Sequence, residues 1–352
     1  MPSAQRPSGG GRGWMVLAIV LLVLLAVCGA FIVAAVAGSV MLGHGSYART
    51  AGPRLDEVQL EDNGSANKIA VIEVNGIISS GGLDQSGNGM VETIRAELRR
   101  AQEDDKVKAV ILRVDSPGGE VMAADEIHHA LVAFQKHKPI VASMGSLAAS
   151  GGYYVSAPCR WIVANDLTIT GSIGVILSSW NYRGLMDKLG LAPETFKSGK
   201  FKDMLSGSRE PDSITPEEKQ MVQELIDQTF SRFKAVVQEG RAAAHRLNKN
   251  EGRALAPGWV DYADGRVLSG TDAYKLGFVD ELGYFKEAVS RAKSIADIPD
   301  ANLVEYEEHH DLTDLLRLFG KSDAKPITVD LGMGLPRLQA GRLYFLSPTY
   351  LH

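Results

Sequence analysis

The order of apolar and polar positions divides the chain into a long uncharged run, an irregular stretch, and a region where apolar runs alternate with segments of helical spacing. From Trp14 to Ala37 no residue is charged. At 1.5 Å per residue a helix of that length reaches about 36 Å, enough to cross a hydrocarbon core of roughly 30 Å with some tilt. From Lys68 onward the pattern changes. Ile69–Val74, Val107–Val114, Pro139–Ala142, Trp161–Ala164 and Ile169–Ile176 predict strands. Met90–Ala101, with Val91, Ile94 and Leu98 on one face, predicts a helix, as do Val121 to about Gln135 and a segment starting near Ser150. Strands alternating with helices in this way indicate βαβ units and a largely parallel sheet, an α/β fold.

The longest predicted helix begins at Thr215-Pro216-Glu217-Glu218, which supplies an N-cap, a proline in the first turn and a glutamate three residues after the cap. Val222, Leu225, Ile226, Phe230, Phe233 and Val237 then form one apolar stripe, the pattern of a core helix. Leu276-Gly277 reads as a helix end, Phe278–Asp280 as a strand, and Tyr284–Ile295 as a last amphipathic helix. Beyond Pro299 the pattern weakens. The apolar segment Leu343–Ser347 is a candidate occupant of a substrate groove.

These signals predict five regions: a Pro/Gly/Ser-rich disordered segment (1–13), a transmembrane anchor (14–37), a juxtamembrane linker (38–66), a catalytic domain (67–297) and a C-terminal tail (298–352). Arg6 and Arg12 favour a cytoplasmic N-terminus, with Arg49 and Arg54 opposing, so the remainder is expected outside the membrane. Ala35-Val36-Ala37 resembles a signal peptidase site, but the apolar run is longer than a cleaved signal's. Leu25–Cys28 resembles a lipid-attachment box, but valine precedes the cysteine. An uncleaved anchor is the expectation.

Composition narrows the chemistry. With 37 Lys+Arg against 42 Asp+Glu the net charge is -5, which leaves no electrostatic footprint for nucleic acid. Cys28 and Cys159 lie too far apart in kind, one in the apolar run and one in the soluble part, to suggest a disulfide framework. No Cys/His cluster has the spacing of a metal site, His309-His310 being the nearest, so neither metal nor organic cofactor is expected.

The stretch Ser143–Ala157, Ser-Met-Gly-Ser-Leu-Ala-Ala-Ser-Gly-Gly-Tyr-Tyr-Val-Ser-Ala, turns through small residues from a strand into a helix. A serine at such a turn, here Ser150, is how several unrelated hydrolases present a nucleophile. It needs a base. His128, His129, His137 and His245 have no spacing that sets them apart from solvated helix histidines. A lysine serves only if apolar surroundings remove its charge, and Lys197, Lys200 and Lys202 lie among Phe196, Phe201, Met204 and Leu205. Residue chemistry does not choose among the three. Pro117-Gly118-Gly119, after a strand and before a helix, offers unobstructed backbone N–H groups for an oxyanion, a phosphate or a thioester carbonyl.

Together these pieces resemble the signal peptide peptidase A family, membrane-anchored serine–lysine peptidases of the Clp/crotonase fold. The likeness is carried, in order, by Asp115–Gly119, Gly145–Tyr154, Thr170–Val175, Ser198–Asp203 and Gly265–Val267 with Leu276–Asp280. The resemblance implies Ser150 as nucleophile, Lys202 as general base, Gly119 and Gly151 as oxyanion donors, and Ser172 as the residue that orients the lysine. It further implies cleaved signal peptides and similar apolar peptides as substrates, and the bacterial inner membrane as the location. Long members carry two copies of the domain and this chain has one. A homo-oligomeric ring with the dyad shared between subunits is therefore expected. Two alternatives stay open on sequence alone, an acyl-CoA enzyme of the crotonase type and an inactive scaffold on the same fold.

Overall fold

The computed structural model describes residues 19–20, 22–24, 53–81, 89–308 and 343–346. The chain divides into two compact units, Met1–Ala51 and Gly52–His352. In the first, the described residues are helical and exposed. Among the described residues no helix is long and apolar enough to cross a membrane. Most of the expected anchor 14–37 lies outside them, as do Cys28, segment 1–13, His309-His310 and most of the tail.

The second unit runs β1 (Leu55–Glu61), β2 (Lys68–Asn75), α1 (Met90–Glu103), β3 (Val107–Ser116), β4 (Gly118–Glu120), α2 (Val121–Phe134), β5 (Ile140–Ala149) and α3 (Gly151–Ser156). It continues through β6 (Trp161–Ala164), β7 (Ile169–Gly171), α4 (Arg183–Lys188) and the long α5 (Pro216–Leu247). Then come β8 (Val267–Ser269), α6 (Gly270–Lys275), β9 (Glu281–Leu282), α7 (Phe285–Ile295), β10 (Asn302–Glu308) and β11 (Tyr344–Leu346). The main sheet has the order β1-β10-β2-β3-β5-β6-β9, with β7 beside β5 and β8 beside β7. All pairings from β10 through β9 are parallel, as is β5 with β7; β1 with β10 and β7 with β8 are antiparallel. This is the expected mixed α/β architecture.

The central strands are near-continuous apolar runs because both faces are covered. On one face Ala70, Ile72, Val110 and Leu112 meet Ile94 and Leu98 of α1 and Ile127 and Leu131 of α2. On the other, Ile69, Ile111 and Val141 meet Ala288 and Ala292 of α7. Helix α5 begins with both bonds of its capping box: Glu218 N–H donates to Thr215 Oγ1 at 3.2 Å, and Thr215 N–H to Glu218 Oε2 at 2.8 Å.

Four sequence readings change. Leu55–Glu61, read as irregular linker, is an edge strand; its apolar positions are too few to signal one, and its partner β10 lies far away in sequence. Strand geometry after Ile169 stops at Gly171, because Ser172 turns with φ 50°. Phe278–Asp280 precedes β9 rather than forming it. The stripe on α5 is fully buried only in its second half, at Phe233 and Val237, whereas Leu225 is 46% exposed.

Candidate active site

Strands β3 and β5 are parallel neighbours, and both open into small-residue turns at their carboxyl ends, where α/β sheets place their sites. After β5 the chain reaches Ser150 in a conformation (φ 55°, ψ −115°) that non-glycine residues rarely adopt. The turn is held by neighbours: Ser150 N–H donates to the Gly171 carbonyl at 2.8 Å, and Tyr154 N–H to the Ser150 carbonyl at 2.8 Å. Ser150 is 1% exposed, and its Oγ has no hydrogen-bond partner among the described residues. A buried hydroxyl left unpaired costs about 1–3 kcal/mol, so the position is not explained by packing.

The turn after β3 comes close to it. A Cβ on Gly118 would lie 2.0 Å from the Phe345 carbonyl oxygen and 2.6 Å from the Gly151 nitrogen, so any side chain there would fill the space the two share. A Cβ on Gly119 would lie 1.9 Å from the Ile78 carbonyl oxygen. A Cβ on Gly151, in turn, would be 3.1 Å from the Gly119 nitrogen. The amides of Gly119 and Gly151 are therefore neighbours. Ser116 supports this turn by accepting from Gly118 N–H at 3.1 Å. Ser172 is buried next to the carbonyl that holds Ser150, and its N–H donates to Arg266 O at 2.7 Å.

Strand β11 occupies the cleft beside these amides. It pairs antiparallel with β4, placing Phe345 opposite Gly119, and on its other side Tyr344 exchanges both backbone bonds with Ile176 at 3.1 and 3.2 Å. Val121 N–H donates to Leu343 O, so Gly119 and Phe345 fall at a hydrogen-bonded position of the ladder.

The three candidate lysines differ in their partners. Lys197 pairs with Asp203 at 2.6 Å and Lys200 with Glu217 at 2.5 Å. Asp203 is also 3.5 Å from Arg209. The side chain of Lys202 is exposed and has no hydrogen bond or ion pair among the described residues. Within this one chain Ser150 and Lys202 are thus not hydrogen-bonded to each other. The arm that carries Lys202 leaves large apolar side chains uncovered, with Trp180 85% and Phe196 88% exposed and Leu185, Leu189 and Leu191 more than half exposed.

His128 is not the solvated residue its spacing suggests. It packs edge-on to Tyr154 with ring centroids 5.4 Å apart, and burial pushes its imidazole down to about 4. Cys159 is buried and its thiol is pushed up to about 12, also by burial. Among the described residues no group of three or more His, Cys, Asp or Glu could hold a metal ion. A cleft of about 570 Å³ between α5 and residues 254–260, lined by Arg241, His245 and Trp259, contains neither Ser150 nor any of the three candidate lysines.

Comparison with known proteins follows the same residues. The family model of peptidase family S49 matches residues 132–298, and that of Clp protease matches residues 72–160. The chain is 37% identical over 257 residues to a protein of Enterococcus faecium named as a signal peptide peptidase, SppA, covering 72% of this chain and 71% of that one. It is 37% identical over 270 residues to a protein of Synechocystis named as a protease, covering 76% and 88%. It is also similar to the chloroplastic serine protease SPPA of Arabidopsis thaliana, 34% identical over 239 residues, covering 67% of this chain and 33% of that one.

Proposed function

We propose, from the premise that this chain belongs to peptidase family S49 and is a serine peptidase, that Ser150 is its nucleophile and Lys202 of a neighbouring copy its general base. The observation that carries this reading is the buried Ser150 hydroxyl, unpartnered among the described residues and beside the converging amides of Gly119 and Gly151. A lysine acts as base only in its neutral form, which carboxylate partners oppose and burial among apolar groups favours. Of the three candidates Lys202 alone lacks a carboxylate partner among the described residues. Its arm also exposes the apolar surface that a second copy would cover. The peptidase relatives set aside the acyl-CoA and scaffold alternatives.

In this mechanism the Ser150 proton passes to the amine as the oxygen attacks the scissile carbonyl, and the oxyanion forms against the N–H groups of Gly119 and Gly151. The C–N bond breaks, the leaving amine takes the proton, and the acyl group remains on Ser150. Lys202 then deprotonates the water that releases it, with Ser172 at the turn that orients the lysine. A ring of copies fits a dyad shared between subunits, with the Clp-like superhelical arrangement of the family. Segment 14–37 would anchor the ring in the bacterial inner membrane, N-terminus inside and catalytic domain outside. Remnant signal peptides and other apolar peptides at that surface are the substrates that fit.

Alanine substitution tests the assignment on an apolar fluorogenic peptide. Ser150→Ala and Lys202→Ala should each lower kcat by at least ~1,000-fold, while Lys197→Ala and Lys200→Ala remain active. Retained turnover in Lys202→Ala would remove the lysine from the reaction.

A further inference from the structure

We infer that Lys197 and Arg209 are positioning residues: they hold the carboxylate of Asp203 in ion pairs of its own, so that its charge does not fix the proton on Lys202. The inference rests on the serine–lysine reading above. A lysine base must be uncharged at rest, and a carboxylate close by keeps it protonated. Asp203 follows Lys202 directly in the chain. Left unpaired, it would work against the reaction from the adjacent residue.

The arm meets this by pairing. Lys197 Nζ donates to Asp203 Oδ1 at 2.6 Å, and Arg209 Nη1 lies 3.5 Å from the same oxygen. The bond from Lys197 holds the Asp203 carboxyl below the usual carboxylate range, with Arg209 adding to the effect and burial opposing it. The Asp203 side chain is 13% exposed, against 57% for Glu217, so water screens it less and its two cations matter more. Arg209 is itself fixed by α5: it donates to Glu218 Oε1 at 2.5 Å and to the Ser213 carbonyl at 2.7 Å, and Glu218 belongs to the capping box. Lys197, Asp203, Arg209 and Glu218 thus carry two charges of each sign and cancel. Lys200 is matched by Glu217 at 2.5 Å, and Arg183 by Asp187 and Glu210 at 2.8 and 2.9 Å. Around the Ser150 turn of the copy that would receive the amine, Asp115 accepts from Leu147 N–H at 3.1 Å and Arg266 pairs with Asp264 at 2.6 Å. Lys202 is left as the unmatched charge of segment 197–209.

The ascending limb of kcat/KM against pH, measured with the full-length protein on an apolar fluorogenic peptide, follows the base of the free enzyme. Lys197→Met keeps the length of the stem but leaves Asp203 short of a cation, and should move the limb up by about 0.5–1 pH unit in a protein that stays active. Asp203→Asn keeps the shape and an acceptor but removes the negative charge, and should move it down by a similar amount. Lys197→Met combined with Asp203→Asn should return the limb close to that of the unsubstituted protein. Lys200→Met takes the same charge from the exposed pair and should move it by less than half as much as Lys197→Met. A merely loosened arm would lower kcat in both single variants without driving the limb in opposite directions. A limb that stays in place, or moves the same way in Lys197→Met and Asp203→Asn, overturns the inference, as does a Lys200→Met shift equal to that of Lys197→Met. Lys202→Ala keeps the two readings apart. Full turnover there removes the base itself, whereas lost turnover there with an immobile limb in the other variants removes only the role of Asp203 and its partners.

Discussion

The amide of Ser150 donates to the carbonyl of Gly171 across 2.8 Å, so the end of β7 holds the turn that carries the buried hydroxyl. Gly171 has a φ of 74°, and a Cβ there would lie 3.1 Å from Leu268 and 3.2 Å from the Arg266 carbonyl oxygen. Gly171→Ala should therefore strain this strand end by about 1–2 kcal/mol. Displacing the turn should lower kcat roughly 10- to 100-fold. Steady-state kinetics check this, and an unchanged kcat would mean that Gly171 does not set the position of Ser150.

Arg241 of α5 and Asp280 form a buried ion pair, and Asp280 also accepts from Ile162 N–H at 2.9 Å and Arg253 N–H at 3.1 Å. Asp280 belongs to one of the stretches that carry the family likeness, yet its contacts tie α5 to β6 rather than reach Ser150. Arg241→Leu leaves the carboxylate buried without its counter-charge and should cost about 3–5 kcal/mol of stability. A denaturant midpoint equal to that of the unsubstituted protein would contradict this.

Burial pushes the His128 imidazole down from its ordinary value of 6.5 to about 4, with Asp125 opposing the shift and Arg232 adding to it. The folded state therefore disfavours the charged ring, and between pH 6.5 and 4 the unfolded chain binds more protons. The stability this contributes is complete above about pH 6.5 and is lost as pH falls toward 4, at most about 3 kcal/mol. His128→Phe should flatten the fall of Tm across that window. A slope unaltered by the substitution would assign the acid sensitivity to other groups.

What the sequence made legible was what short-range pattern encodes. Trp161–Ala164 is a strand at its predicted bounds, and the start of α5 follows its capping signal. Ser150 stood out because a small-residue turn follows a short apolar run. What stayed hidden depends on distant partners. Leu55–Glu61 becomes a strand by pairing with Asn302–Glu308. Phe345 meets Gly119 only through the fold, although the apolar character of 343–347 marked that segment as one to place. The three lysines are alike in sequence surroundings, and the ion pairs to Asp203 and Glu217 separate Lys197 and Lys200 from Lys202. Tyr154 of α3 and Phe233 of α5 meet edge-on at 5.0 Å, across two elements that no local spacing connects.

On the proposed reading the first half of α5 and the exposed arm around Lys202 would pack against another copy, and that is where the dyad would be completed. Co-assembly of Ser150→Ala chains with Lys202→Ala chains, each carrying a different affinity tag, measures this directly on an apolar fluorogenic peptide. Neither variant alone should turn over. Doubly purified mixed assemblies should recover activity, approaching about a quarter of the unsubstituted rate if subunits mix at random in a head-to-tail ring. Mixed assemblies that form and remain inert would contradict a hydroxyl and an amine drawn from two chains.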